Sequence, residues 1–155
     1  ILEQYQHGKN NSIAYRTARR LAHNAQIDLS NMISSLSTEP NPDPVLIRNA
    51  FRYLVYSHSQ LSYISALGSH REQVSDPQIL QLLSACQQTL TSALSNPENV
   101  PQQDIQGQLS EIRQLSQQEH ISTHLLLVLK QISLLLETLP ELLKLKTELL
   151  ARDIK

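Results

Sequence analysis

The stretch Tyr15-Arg16-Thr17-Ala18-Arg19-Arg20-Leu21-Ala22-His23-Asn24-Ala25 sets a row of cationic groups beside a row of small apolar ones in a single helical segment. At helical spacing Arg16, Arg19, Arg20 and His23 share one face, while Ala14, Ala18, Leu21, Ala22, Ala25 and Leu29 share another. Small residues let a second helix approach closely, so the apolar row is expected in a core and the basic row outside it.

Working outward, this helix is expected from about Ser12, or from nearer Ile1 if Gly8 is tolerated, to about Ser37. Glu39-Pro40-Asn41-Pro42-Asp43-Pro44 ends it, because prolines lack amide donors and bias the residues before them away from the α region. A second helix is expected from Pro44, a favoured first-turn residue with Asp43 as N-cap, to about Gly68. Its expected core stripe is Ile47, Phe51, Leu54, His58, Leu61 and Ser65.

So short a connection makes the pair an antiparallel hairpin. With the turn near residue 41, levels pair by positions summing to about 82. His58 then faces Asn24 and Tyr63 lies near Arg19, which predicts a polar layer of His23, Asn24, His58 and Tyr63 inside the hairpin.

Ser75-Asp76-Pro77-Gln78 resembles a capping box and opens a third helix with Ile79, Leu82, Leu83, Cys86, Leu90 and Leu94 inward, closed by Asn96-Pro97. Ile105, Leu109, Ile112 and Leu115 form a shorter amphipathic helix weakened by Gly107. Ile121, Leu125, Val128, Leu129, Ile132, Leu135 and Leu136 give a fifth helix a wide apolar face suited to a bundle centre. At Pro140 the chain either opens a sixth helix, capped by Thr138 and Glu141, or continues as one long kinked helix.

Composition points the same way. Three glycines, no tryptophan and one phenylalanine, with abundant leucine, serine and glutamine, suit helices rather than sheets. The fold class is therefore all-α: one domain over 1–155, a compact bundle of five or six helices, with the hairpin over 1–72 and the remaining helices over 73–155. The formal net charge of −1 argues against a general nucleic-acid binder. Residues 1–24 nevertheless hold Lys9, Arg16, Arg19 and Arg20 against Glu3 alone, a net of +3, so an anionic partner would meet the chain there.

Cys86 is the single cysteine, which excludes an internal disulfide and suggests a buried thiol in a reducing compartment. The longest apolar run, Leu125 to Leu129, is far below the roughly 20 residues that span a bilayer. Ile1 is not an initiator methionine and no signal peptide follows it, so the chain is expected to be a fragment of a longer protein.

Chemistry-bearing patterns are sparse. His120 and His124 have the spacing of two metal ligands on a helix, but Ile121 stands where the zincin pattern needs glutamate, and no cysteine or acidic cluster supplies further ligands. His58 has no serine, cysteine and acid arrangement around it. There is no glycine-rich phosphate loop and no paired carboxylate site. Neither a catalytic nor a cofactor or metal site is expected. The basic row is either solvated, paired with acids such as Glu72 across the hairpin, or in contact with anionic lipid headgroups or an acidic neighbour through Arg16, Arg19 and Arg20.

Tyr15-Arg16-x-Ala18-Arg19-Arg20-x-Ala22-His23-Asn24-Ala25, Glu39-Pro40, Phe51-Arg52-x-Leu54 with Ser57-His58, and Leu61-Ser62-Tyr63-x-Ser65-Ala66-Leu67-Gly68-x-His70-Arg71 together resemble one family. They look like the C-terminal cytoplasmic region of bacterial inner-membrane proteins of the YccS/YhfK type, in the fusaric-acid-resistance-like (FUSC) superfamily. The match is specific from about Tyr5 to Glu72. The resemblance implies exporters of aromatic acids and similar small molecules, with Ile1 shortly after a final membrane span. Basic residues near the N-terminus fit that placement on the cytoplasmic side. It implies no catalytic residue.

The expected function is thus a cytoplasmic accessory or assembly domain of an inner-membrane transporter, not an enzyme. Its expected partners are the membrane-spanning and other domains of its own protein, a second copy, or anionic headgroups. The alternative is a small-molecule sensing module with a pocket near His58, Asn24 and Tyr63.

Overall fold

The leucine-rich C-terminal segment cannot leave its apolar side in water, and the other helices are arranged around it. A computed structural model describes residues 12–69 and 74–151. It contains α1 (Ser12–Ser37), α2 (Pro44–Ser69), α3 (Pro77–Ser95), α4 (Gln102–Leu115) and α5 (Thr123–Leu150), with no strand among the described residues. The expected all-α bundle is what forms, with five helices among the described residues: α5 runs through Pro140 without breaking there into a separate helix.

Local signals place the ends. Asp43 Oδ1 accepts from the amides of Val45 (2.8 Å) and Leu46 (3.2 Å), satisfying two of the donors that the start of α2 leaves without helical partners. The cap of α3 is Asp76, whose side chain accepts from Gln78 and Ile79 amides, one residue later than a box opened by Ser75 would have it. Ser122 caps α5 by accepting from Leu125.

Helix α5 touches α2, α3 and α4, and α1 is attached through α2 alone among the described helices. Val128, Leu129, Ile132, Leu135 and Leu136 of α5 pack with Ile79, Leu82, Leu83 and Cys86 of α3, Ile105, Ile112 and Leu115 of α4, and Leu67 of α2. A smaller cluster joins Ala93 to Leu139 and Leu143. Burying a side chain of this size contributes about 1.5–3 kcal/mol, so this face outweighs every polar contact in the molecule.

The contact between α2 and α5 is polar as well as apolar. Gln60, buried on α2, donates from Nε2 to the Leu135 carbonyl (2.9 Å) and to Thr138 Oγ1 (2.8 Å). Pro140 offers no N–H to the Leu136 carbonyl, and the buried amide of Gln60 supplies a donor one residue away, where the helix ladder is weakest. Asn49 Nδ2 donates to Glu148 Oε2 at 3.1 Å, and Arg52 pairs with Glu141. The latter pair is part-exposed and contributes about 0–1 kcal/mol.

These contacts correct the stripe expected for α2. The inward residues include Asn49, Ala50, Gln60, Leu61 and Leu67, whereas Phe51 and His58 are exposed. On α1 the row facing inward is Tyr15, Ala22, Gln26, Leu29, Ile33 and Leu36; Ala14, Ala18, Leu21 and Ala25 are exposed. The antiparallel level was legible all the same. Tyr15 lies against Gly68, and those positions sum to 83.

The two described glycines differ in what they do. A β-carbon at Gly68 would lie 2.7 Å from Tyr15 Cζ and 3.1 Å from Cε1, so the absence of a side chain there lets the tyrosine ring seat against α2. Gly107 has nothing within 4 Å of the place a β-carbon would take. Gly68→Ala is therefore expected to destabilise the chain by about 1–3 kcal/mol through overpacking. Gly107→Ala is expected to stabilise it by about 0.5–1 kcal/mol through helix propensity. Urea denaturation of the two variants reads both signs, and equal shifts would contradict these environments.

Cys86 is fully buried, and burial, reinforced by the Glu111 carboxylate, pushes its thiol up from 9.0 to about 12. The folded state favours the neutral thiol, so this contribution to stability is complete below pH 9 and is lost as pH rises toward 12. Burial raises the Tyr53 phenol as well, with the same sign. The melting temperature is expected to fall across that window and Cys86→Ala to show a shallower fall; identical slopes would refute the assignment.

Candidate functional site

The residues singled out by sequence lie on the outer helix and its neighbour. Arg16, Arg19 and Arg20 are exposed on α1, as a solvent or partner face requires. Arg16 and Arg20 line a shallow cleft of about 260 Å³ with Ile13 and Thr17. Glu72, weighed above as an ion-pair partner for this row, lies outside the described residues, as do Tyr5, His70 and Arg71 of the motif.

The polar layer expected inside the hairpin is not assembled. His23 and Asn24 are exposed on α1 and His58 is exposed on α2. Tyr63 is partly buried, but it packs against the central cluster that contains Leu67, Val74 and Ile79. The level was right and the rotation was not. Helix α2 turns Asn49, Gln60 and Leu67 toward α5, and that rotation carries His58 out to solvent. Polar groups do cross helix interfaces, among them Gln60 with Thr138 and Asn49 with Glu148, and these were not anticipated. A buried glutamine on an otherwise periodic helix, opposite a proline-interrupted one, is the signal that points to them.

Outside the hairpin, a cleft of about 530 Å³ opens between α3 and α4, lined among others by Gln88, Thr89, Asp104, Gly107, Gln108 and Glu111. Gln108 Nε2 donates to Thr89 Oγ1 at 2.7 Å in its wall. Neither this cleft nor the one on α1 takes in His23, Asn24, His58 or Tyr63. His120 lies in the turn before α5 and His124 in its first turn, and among the described residues no three His, Cys, Asp or Glu side chains are placed to hold a metal ion. No helix among them is long and apolar enough to cross a membrane.

What distinguishes the surface is therefore α1, which pairs exposed cations with exposed apolar side chains. Ile13, Leu21, Ile27 and Met32 on α1, and Phe51 and Val55 on α2, are all large and solvent-facing.

No family model matches the chain, and no solved structure does. An uncharacterized protein of Haemophilus influenzae (strain ATCC 51907 / DSM 11121 / KW20 / Rd) is 33% identical over 126 residues, 81% of this chain and 17% of that protein. The inner membrane protein YccS of Escherichia coli (strain K12) is 38% identical over 151 residues. That alignment takes in 96% of this chain and 21% of YccS, so the chain spans about a fifth of the length of the curated relatives it matches. Over nearly its whole length, the chain is thus similar to one stretch of an inner membrane protein, as the arginine motif and its hairpin implied.

Proposed function

We propose that the chain is a cytoplasmic accessory and assembly domain of a YccS-type inner-membrane transporter in the fusaric-acid-resistance-like superfamily. The observation that supports this most is the similarity to YccS across 96% of the chain. The absence among the described residues of any helix able to span a bilayer leaves translocation to other parts of such a protein.

The role is mechanical rather than catalytic. Helices α2 to α5 form the body of the bundle, and α1 is the arm offered to a neighbour, because among the described helices it contacts α2 alone. The neighbour is the rest of the same polypeptide or a second copy, and the cargo is an aromatic acid or similar small molecule, as the family resemblance implies. A sensing role through His58, Asn24 and Tyr63 has less support, since two of the three are exposed and the third faces a different core.

Removing the corresponding stretch from E. coli YccS tests the reading, with membrane insertion, assembly and export measured separately. Insertion is expected to persist while assembly falls. Unchanged assembly and export would sink it.

A further inference from the structure

We propose that the cleft between α3 and α4 binds an elongated aliphatic polyamine, with ammonium groups on the Asp104 and Glu111 carboxylates and an N–H donated to Gln108 Oε1. The site goes beyond the assembly role given to α1, which contacts neither of these helices.

Room is the first requirement. Ala85, Ser92 and Gly107 in the wall are small, and nothing lies within 4 Å of the place a β-carbon on Gly107 would take. The opening of about 530 Å³ that results is of the size that holds small molecules.

An unused acceptor is the second feature. Gln108 lines the cleft and is 9% exposed. Its Nε2 donates to Thr89 Oγ1 at 2.7 Å, while Oε1 is buried with no hydrogen-bond partner among the described residues. A buried carbonyl oxygen is costly to leave without a donor. The last torsion of a glutamine side chain is soft, so a small turn of the amide presents Oε1 to the cleft.

Charge then selects the occupant. Both charged residues in the wall are acids, Asp104 and Glu111, four positions before and three after Gln108 and therefore on the same face of α4. The Glu111 carboxylate also helps to hold the Cys86 thiol protonated, which sets its charge close to α3. An occupant must donate hydrogen bonds and carry positive charge, and an ammonium group does both. Asp104 and Glu111 stand about 10.5 Å apart along the helix axis, too far for one compact cation to meet both. A chain with an ammonium group at each end can, with its methylene groups along Ala85, Pro101 and Gly107. Among the described residues no three side chains are placed to hold a metal ion, so the acids are not accounted for in that way.

The test is titration calorimetry of the full 155-residue chain with spermidine, compared with triethylene glycol as a neutral chain and magnesium chloride as a compact dication. Saturable heat is expected from spermidine alone, with binding weakening as salt is raised. Asp104→Asn with Glu111→Gln should weaken it by about tenfold. Gln108→Met, which removes the acceptor at similar volume, should weaken it by about tenfold as well. Gly107→Leu fills the opening and should abolish binding, whereas Glu137→Gln, at an exposed acid on α5 outside the cleft, should leave it unchanged. Circular-dichroism melting curves show which variants fold. Should Gln108→Met unfold the chain, Gly107→Leu and the paired acid variant decide, since Gly107 and Asp104 are exposed. No saturable heat from spermidine, equal heat from magnesium or the glycol, or binding indifferent to Gly107→Leu or to loss of the two carboxylates would overturn the proposal.

Discussion

Burial of the apolar face of α5 is the constraint to which the other helices answer. Nine of its side chains between Val128 and Leu145 are withdrawn from water, and they can be covered only by helices on several sides at once. Helices α3 and α4 cover one part with Ile79, Leu82, Leu83, Ile105 and Ile112, and α2 covers another. Because each buried Leu or Ile outweighs a surface ion pair several-fold, the rotation of α2 follows α5 and not its own most apolar stripe.

That rotation has polar consequences. Turning Gln60 and Asn49 inward would be costly without partners, since a buried amide that loses water must regain its hydrogen bonds. Thr138, the Leu135 carbonyl and Glu148 provide them. The proline in α5 and the glutamine in α2 are thus parts of one arrangement: a weakened helix turn beside a donor that reaches it. A bundle sealed by leucine alone would slide more freely, and these paired groups tie the two helices at one level.

The helix carrying the sequence motif is the least embedded of the five. Its pairing with α2 is secured where Tyr15 seats over Gly68 and where Ile33 is buried near the turn. Between those ends Ala18, Leu21, Ala25, Ile27 and Met32 face outward. The same row that reads as an amphipathic helix with one core therefore has two apolar sides in the folded chain, one closed by α2 and one open. This asymmetry makes α1 the part of the molecule suited to an external contact.

The sequence by itself determined the helices, the Asp43 cap of α2, the antiparallel turn and its level, and most of the apolar faces of α3, α4 and α5, although Leu94, expected inward on α3, is exposed near the end of that helix. These follow from local chemistry: proline and aspartate at fixed offsets, and leucine and isoleucine at helical spacing. It also carried the family resemblance, which rests on residue identities. Only the tertiary structure decided the rotation of α1 and α2 about their own axes. Both helices have apolar residues over more than one face, so periodicity alone leaves several orientations of similar merit. The choice was made by α5, more than 50 residues away along the chain, whose buried face required the Gln60 side of α2 and thereby sent His58 to the surface. Whether α5 bends away at Pro140 as a separate helix was likewise decided by packing, because neighbours on several sides hold the two halves together.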